Sequence, residues 1–493
     1  MKSRYYVDEL LDLSIPEVTV VQSVPSAFRY LRGVGLVRCL VIGLALTATL
    51  PVAAGDDGLS VAMARFRQEL SRVRPGGAAE DGTGLETFQQ VLSHVLRTYV
   101  RPVSADALVR AAIGGLQRRV ENRAEDGGMH WLDGALDGMM SSLDPYSAYM
   151  TARDYATLRA RISGRFGGIG VELALDRKNG LARVVAPFDG GPAAGAGLRP
   201  GDLISAVGGV SVSGLSLQDI SALIRGEPGT SIQLTLVRSE QQRQTLTLVR
   251  ELIKIEPVTV RVDGSIALIR ISSFNLQVAG AFDRAVVELG RQAGAGLTGV
   301  VLDLRNNPGG VLDQAVIVAG RFLSVGTIVS VRGRQPADNV HHMANRGDAF
   351  AGLPLVVLIN GGSASSSEIV SAALQDHRRA VVFGARSFGK GSVLSTTGLE
   401  SGGALIMTTA RYYRPSGASV ECFGVTPNVV VTSESAGERE GPGACPSDPA
   451  PPEPVARWSM EDVCPEIVMQ ASTADRTYAC ARAALQNGII ARK

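Results

Sequence analysis

The chain has 493 residues, too many for one hydrophobic core, and the usual size of globular domains predicts roughly two to four of them. Its 49 basic and 47 acidic side chains nearly cancel, so no long-range field favours a nucleic acid or an anionic surface as a partner. The sequence also has no cluster of Cys, His, Asp or Glu residues at the spacing typical of a metal site. We therefore expect a multidomain protein with no nucleic-acid partner, no metal and no other cofactor.

The first apolar segment of the chain runs from Arg38 to Pro51, follows several arginines, and is followed by small residues that end at Ala54. Such a run is too short to span a bilayer comfortably and is typical of a secretory signal peptide. Residues 1–54 are therefore predicted to be a signal peptide, and the protein to be periplasmic or part of the cell envelope. An uncleaved membrane anchor is the alternative.

Removal of that segment leaves an even number of cysteines, as expected in an oxidising compartment. They are Cys422, Cys445, Cys464 and Cys480, all near the C-terminus. We expect these cysteines to form two disulfide bonds, and the sequence does not decide which cysteines pair. Four free thiols are the alternative.

The periodicity of apolar residues then changes along the chain. Residues 55–163 have apolar side chains at helical spacing, as in FQQVLSHVLRTYV, and are predicted to form a helical N-terminal region. Residues 164–250 alternate short β-like runs with Gly-rich turns, which predicts a small β-rich module. Residues 251–433 alternate apolar strands with helical segments, which predicts βαβ units around a mostly parallel sheet. Residues 434–493 are predicted to be a Pro/Gly-rich linker and a short helical tail that contains cysteines.

A run of small residues, GGSASSSE, follows an apolar strand and begins an amphipathic helix. The free N–H groups and the dipole at a helix N-terminus favour developing negative charge, which suits a nucleophilic serine in acyl transfer. Serine is equally the ordinary N-cap of a helix, so capping is the alternative role of these hydroxyls.

Lys390 is one of only five lysines in a chain whose other strong bases are arginines, and it lies between two glycines after an apolar strand. A lysine, with an ordinary pKa of about 10.4, can lose its proton in an apolar site and act as a general base, which arginine cannot do. A surface lysine in a glycine-rich turn is the alternative.

Two other motifs overlap Lys390. The segment from Gly384 to Lys390 reads G-x-x-x-x-G-K, but Gly391 stands where a nucleotide-binding loop needs Ser or Thr, so we predict no nucleotide site. Ser387 and Lys390 also read S-x-x-K, but Gly389 and Gly391 argue against the helix that this motif requires.

A third candidate is the glycine-containing loop Asn306-Asn307-Pro308-Gly309-Gly310, which follows the apolar strand TGVVLDL. Glycines let backbone N–H groups approach a substrate carbonyl closely, as an oxyanion hole requires, although a simple turn is the alternative. The histidines offer less, because a Ser-His-Asp triad built on His377 has no further support in the sequence.

Together and in this order, these segments resemble the carboxyl-terminal processing peptidases, which are tail-specific serine proteases with a Ser/Lys active site. The resemblance spans about Leu85 to Val431 and includes SSLDPYSAYM, GRFGGIGVEL, GPAAGAGLRPGDLISAVGG, VVLDLRNNPGG, GGSASSSEIVSAALQD and RSFGKGSV. It implies an α+β multidomain fold, with the helical N-terminal region, an inserted PDZ domain at 164–250 and a βαβ-type serine peptidase core at 251–433.

The resemblance also implies the site residues. The nucleophile falls on Ser365, because the family's serine precedes the lysine of FGKG by 25 positions, and the general base falls on Lys390. The oxyanion donors correspond to the N–H of Ser366 and to that of Gly309 or Gly310, a choice that stays open. The segment FGGIGV resembles the carboxylate-binding loop of a PDZ domain. The residues that bind the peptide tail would then be Phe166, Gly167, Gly168, Ile169, Gly170 and Val171.

The implied function is a serine endopeptidase that captures the C-terminal tail of a client protein or peptide and cleaves it through an acyl-enzyme. One position departs from the family, because Leu394 stands where many members carry a glutamine that orients the lysine amine. The alternative function is therefore a pseudo-peptidase that acts as a binding scaffold through its PDZ domain. An adaptor protein and a homo-oligomer stay open as further partners.

Overall fold

The structure is a computed structural model that describes residues 56–73, 82–121, 131–176, 179–188, 190–239, 242–345, 347–431, 458–465 and 475–490. The predicted signal peptide, Cys445 and most of the predicted linker lie outside these residues. Contacts divide the described chain into two compact units. One unit contains the residues up to Ala152 together with Val331–Asn339 and Ser392–Arg411, and the other contains the rest.

The α-helices, numbered in chain order, are α1 Asp56–Val73, α2 Gly82–Thr98, α3 Ala105–Glu121, α4 Trp131–Ser141, α5 Ala152–Ser163, α6 Pro192–Gly195, α7 Leu217–Ile224, α8 Val278–Ala293, α9 Leu312–Ala319, α10 Ser366–Asp376, α11 Met460–Val463 and α12 Arg476–Gln486. The strands are β1 Ala148–Met150, β2 Arg165–Gly168, β3 Val171–Leu175, β4 Ala182–Pro187, β5 Leu203–Val207, β6 Val210–Ser211, β7 Ser231–Ser239, β8 Gln242–Val249, β9 Glu251–Lys254, β10 Val258–Asp263, β11 Ile266–Ile271, β12 Gly299–Asp303, β13 Thr327–Gly333, β14 Val340–Met343, β15 Leu355–Ile359, β16 Val381–Gly384, β17 Ser392–Gly398, β18 Ala404–Tyr413 and β19 Val429–Val430. No helix among the described residues is long and apolar enough to cross a membrane.

The first unit is built on helices α1 to α4, whose apolar faces share one core. Phe66 and Phe88 stack there with ring centroids 3.9 Å apart. Leu405 and Met407 of β18 belong to the same core. This packing explains why residues 392–411 group with the N-terminal helices, although the sequence pattern had assigned them to the peptidase core.

The β-rich module lies in the second unit. Its sheet has the strand order β3-β4-β5-β7-β8, with β6 paired to β5, and these neighbouring strands are antiparallel. Helix α7 is capped by Ser216, whose side chain accepts a hydrogen bond from the N–H of Asp219, and Ile220 of this helix is fully buried. The strands β2 and β9 pair at the start and end of the module, with Gly168 opposite Glu251.

The predicted βαβ part is built on a six-stranded sheet of order β10-β11-β12-β15-β16-β19. Strand β10 is antiparallel to β11, and the remaining neighbours are parallel. Strands β12 and β15 are buried along their whole length, as expected for a parallel sheet covered on both faces. Because parallel strands end at the same edge, the chain segments that follow β12 and β15 lie beside each other. The predicted α+β fold, with a helical region, a small β-rich module and a βαβ part, is confirmed.

The C-terminal segment covers part of this sheet. Helix α12 buries Tyr478 and Leu485 in a core shared with Val301 and Val356 of the sheet. Cys464 and Cys480 form a disulfide bond, and Cys422 is also disulfide-bonded.

Candidate active site

Ser365 lies at the point where the chain leaves strand β15 and enters helix α10. Its φ of 54° is in the left-handed region, which is costly for a residue with a side chain and is typical of functional turns. The side chain is partly exposed. Ser365 is the N-cap of α10 and forms a capping box with Glu368, whose carboxylate accepts the N–H of Ser365. The predicted capping role is therefore compatible with an accessible hydroxyl.

The neighbouring serines of this turn have structural partners. The Ser363 hydroxyl donates to the carbonyl of Leu304 at 2.8 Å, and that of Ser367 donates to the carbonyl of Asn307 at 2.9 Å. The Ser366 hydroxyl donates to a further carbonyl, at 3.1 Å. All three are buried, which leaves Ser365 as the accessible hydroxyl of the run.

Lys390 lies in the loop between β16 and β17, and two shared partners fasten its backbone to that of Ser365. The Glu368 carboxylate accepts hydrogen bonds from the N–H of Ser365 at 2.8 Å and from the N–H of Lys390 at 2.9 Å. The Tyr412 hydroxyl reaches the carbonyl of Ser365 at 3.1 Å and also bonds the carbonyl of Lys390. The two residues that the sequence predicted as a catalytic pair thus belong to one hydrogen-bonded cluster.

Glu368 is the centre of this cluster and is fully buried. Besides the two N–H groups above, it accepts hydrogen bonds from the Ser387 hydroxyl at 2.5 Å and from the Gly389 N–H at 2.7 Å. Burial raises the pKa of Glu368 to about 7, although these four hydrogen bonds act in the opposite direction. The Glu368 carboxylate therefore links the turn at Ser365 to the loop that contains Lys390.

The Ser387 hydroxyl is engaged in hydrogen bonds within the protein. Its hydroxyl donates to Glu368 and accepts from the N–H of Val425 at 2.6 Å, and the side chain is fully buried. This explains the S-x-x-K spacing as a structural contact.

The glycine loop after β12 packs directly against the turn at Ser365. A Cβ on Gly309 would lie 2.7 Å from the Ala364 carbonyl oxygen and 2.8 Å from the Ser365 Cβ, so only glycine fits there. The loop is also tied by the N–H of Ala364, which donates to the carbonyl of Asn307 at 3.0 Å.

The two glycines that the sequence left undecided differ in their hydrogen bonds. The Gly309 N–H donates to the Asn307 side chain at 2.9 Å. Among the described residues, no partner accepts from the N–H of Gly310 or from that of Ser366. Gly310 is therefore the glycine whose N–H is available to a substrate oxygen in this structure.

His377 lies far from this cluster. It caps the C-terminal end of α10, and the 11 residues of that helix separate its two ends by about 16 Å. Its Nε2 is 2.7 Å from the carbonyl oxygen of Thr327. A triad of Ser365 with His377 is excluded by this distance. No group of three or more His, Cys, Asp or Glu side chains in the described part of the chain is arranged to hold a metal ion.

The predicted tail-binding segment, residues 166–171, covers the end of β2, the connection Ile169-Gly170 and the first residue of β3. Ile169 is buried in the core of the β-rich module, and Gly170 has a φ of 68°. The N–H groups of Ile169 and Gly170 have no hydrogen-bond partner among the described residues. The guanidinium of Arg225 lies over the Phe166 ring, 4.6 Å from its centroid. The strand that follows, β3, is at the edge of its sheet.

Sequence reasoning missed three parts of the site. Asn360 bonds Asn306 in both directions, each at 2.9 Å, and so joins the ends of β12 and β15. The roles of Glu368 and Tyr412 were not predicted either. The S-x-x-E spacing of Ser365 and Glu368 was a readable signal, because a glutamate at that position commonly bonds the N–H at the start of a helix.

The accessible Ser365 hydroxyl, at a turn from strand to helix and beside a glycine loop, is the arrangement expected of a serine hydrolase. Residues 265–431 match the family model described as Peptidase family S41, and residues 183–238 match that of a PDZ domain. The carboxy-terminal-processing protease of Bartonella bacilliformis is 44% identical over 302 residues, which are 61% of this chain and 69% of that protein. The chain belongs to peptidase family S41 and is a carboxy-terminal-processing serine protease homologue, so the resemblance drawn from the motifs is confirmed.

Further relatives and solved structures are similar to parts of the chain. A probable CtpA-like serine protease of Staphylococcus aureus is 34% identical over 299 residues, 60% of this chain and 59% of that protein. The photosystem II D1 C-terminal processing protease is 30% identical, with a TM-score of 0.43, over 70% of this chain and 92% of that one. The PDZ domain of a carboxy-terminal protease from Vibrio cholerae, solved in complex with peptide, is 30% identical, with a TM-score of 0.17, over 18% of this chain and 99% of that one.

Proposed function

We propose that this protein is a serine endopeptidase that binds the C-terminal tail of a client protein through its PDZ domain and cleaves the client through an acyl-enzyme. Ser365 is the nucleophile and Lys390 is the general base. The observation that carries this assignment is the cluster in which Glu368 and Tyr412 each bond the backbone of both residues.

The proposed reaction begins with attack of the Ser365 hydroxyl on the scissile carbonyl. The neutral Lys390 amine takes the hydroxyl proton and later gives it to the leaving amine. The N–H groups of Ser366 and Gly310 donate to the oxyanion, since neither has a partner among the described residues. Water then attacks the acyl-enzyme, with Lys390 again as the base, and releases the product. No cofactor takes part in these steps.

The PDZ domain supplies the tail-binding site in this proposal. Strand β3 is an edge strand, so an extended peptide can add to it by main-chain hydrogen bonds. The terminal carboxylate of the client would be received at Phe166–Val171, where the N–H groups of Ile169 and Gly170 have no partner in the described part of the chain. Clients are therefore proteins or peptides with an accessible C-terminus.

We also propose that the protein is exported to the periplasm or cell envelope. The bond between Cys464 and Cys480 supports this location, because structural disulfides persist in oxidising compartments. Cys422 is disulfide-bonded as well.

The test of the proposed function is cleavage of an unstructured polypeptide with an apolar C-terminal tail by the wild-type protein and by two serine variants. Ser365→Ala should abolish cleavage and keep the fold and tail binding. Ser363→Ala is the matched control and should still cleave, because the Ser363 hydroxyl bonds the Leu304 carbonyl and the Asn360 N–H in the described part of the chain. Cleavage by Ser365→Ala at the wild-type rate would contradict the assignment. Tail binding by a wild-type protein that cleaves nothing would favour the pseudo-peptidase instead.

A further inference from the structure

The C-terminal segment that holds helix α12 lies beyond residue 431, where the match to the peptidase family ends. The helix is nevertheless fastened to the peptidase sheet. Its Tyr478 hydroxyl donates to Asp263 of β10 at 2.9 Å, and its Arg482 donates to the same carboxylate at 3.1 Å. The disulfide bond from Cys480 joins the helix to α11. The segment is thus a docked part of the second unit.

Asp475, the N-cap of α12, forms an ion pair with Arg305. Asp475 accepts the N–H of Tyr478 at 3.0 Å, and its two carboxylate oxygens receive the two terminal nitrogens of Arg305 at 2.6 and 2.8 Å. Such a two-point contact fixes the plane of the guanidinium as well as its position. Burial alone would raise the pKa of Asp475, but the hydrogen bonds from Arg305 and Tyr478 outweigh it and lower the pKa, so the carboxylate is charged at neutral pH.

Arg305 is the residue that connects strand β12 to the glycine loop. Its guanidinium also bonds Asp303 at 2.7 and 2.9 Å, and its own N–H donates to the same carboxylate at 3.0 Å. The side chain is only 16% exposed, so these contacts leave it little freedom. The next residue, Asn306, has a φ of 57° and begins the turn that leads to Gly310.

We propose that Asp475 is a positioning residue for the peptidase reaction, because it holds Arg305 and thereby the direction in which the glycine loop leaves the sheet. The inference rests on the proposed function, since the loop matters to catalysis only if Gly310 receives the oxyanion. The contact joins residues 170 positions apart, so the C-terminal segment contributes to the active site without touching substrate.

The proposal predicts a specific kinetic result for Asp475→Asn. Asparagine keeps an oxygen for the N–H of Tyr478 and is a good N-cap, so the helix should stay folded. Its amide nitrogen cannot accept from Arg305, and one of the two ion-pair contacts is lost. Removal of a whole oxyanion donor costs about 10²–10³-fold in kcat, and a displaced donor should cost less, about tenfold. KM should change by less than about twofold, because the oxyanion contact forms in the transition state.

Two control variants separate this role from general loosening of the C-terminal segment. Asp462→Asn makes the same chemical change in α11, where Ser459 is the carboxylate's hydrogen-bond partner among the described residues, and it should leave kcat unchanged. Asp263→Asn weakens the docking of α12 through Tyr478 and Arg482 but leaves the Arg305 contacts in place. It should lower the melting temperature and keep kcat.

The experiment measures kcat and KM for the full-length wild-type protein and the three variants, and hydrogen exchange of the peptide that covers residues 304–311. Faster exchange in that peptide for Asp475→Asn alone, together with the fall in kcat, is the expected result. Unchanged exchange, or an equal fall in kcat for Asp263→Asn, would overturn the proposal. If the wild-type protein has no peptidase activity, the proposed function fails, while the exchange data still decide whether Asp475 positions the loop.

Discussion

Tyr412→Phe is the change that tests the site cluster most cleanly, because it removes a single hydroxyl. That hydroxyl reaches the carbonyls of both Ser365 and Lys390, and the side chain is 2% exposed. Phenylalanine fills the same space, so no cavity forms and the fold should persist. The variant loses the link between the two backbone segments that the proposed proton transfer requires to be aligned.

The hydrogen bonds of the Tyr412 hydroxyl determine how much stability and how much kcat the variant should lose. A hydrogen bond lost from a buried carbonyl costs about 1–3 kcal/mol, and we expect a fall in the free energy of unfolding within that range. A small misplacement of reacting groups lowers kcat strongly, by up to about 100-fold for 1 Å. In Tyr412→Phe the Glu368 carboxylate still bonds the N–H groups of Ser365 and Lys390, so these residues should move by less than that. We therefore expect a fall in kcat of about tenfold.

Tyr99→Phe is the matched control for this variant. Tyr99 is also buried, at 1% exposed, and its hydroxyl donates to the Leu143 carbonyl at 2.8 Å in the helical core. Denaturant unfolding and steady-state cleavage by both variants should show similar losses of stability and a loss of kcat only for Tyr412→Phe. Equal kcat values for the wild-type protein and Tyr412→Phe would refute the view that this hydroxyl aligns the pair.

Two further predictions concern Glu368 and the PDZ domain. The pKa of Glu368 is raised from 4.5 to about 7, so the folded state binds the proton more tightly than the unfolded state does. The resulting stability is present below pH 4.5 and is lost as the pH rises through 7, by about 3 kcal/mol at most. Denaturant unfolding at several pH values in this range should show the loss of stability in the wild-type protein and not in Glu368→Gln. If the free energy of unfolding changes with pH in the same way for both proteins, the prediction is wrong. For the PDZ domain, one substrate with a free or an amidated C-terminus should be cleaved at different rates, because an amide lacks the charge that backbone N–H groups receive. Equal rates would remove the proposed role of Phe166–Val171.

The parallel sheet was predictable from sequence because its signal is local. Strands β12 and β15 are continuous apolar runs, and helices of regular periodicity follow each of them. The turn at Ser365 and the glycine loop could be located because they end such strands. Their adjacency follows from the parallel pairing alone.

The contacts between distant segments could not be predicted in the same way. Glu368 bonds groups 19 to 22 residues further along the chain, and its burial depends on the packing of a loop whose path the sequence does not specify. Arg305 and Asp475 are still farther apart. The mostly buried strand β18 could have completed any nearby core, and only the folded structure shows that Leu405 and Met407 join the helices. Such choices depend on tertiary packing more than on residue pattern.

The most direct test of the Ser/Lys mechanism is the activity of Lys390→Arg beside that of Lys390→Ala. A general base must be able to lose its proton, and the arginine side chain stays charged at any working pH. The account predicts that both variants are folded and that Lys390→Arg is as inactive as Lys390→Ala. If Lys390→Arg cleaves the substrate at a rate near that of the wild-type protein, Lys390 acts through its charge and is not the base.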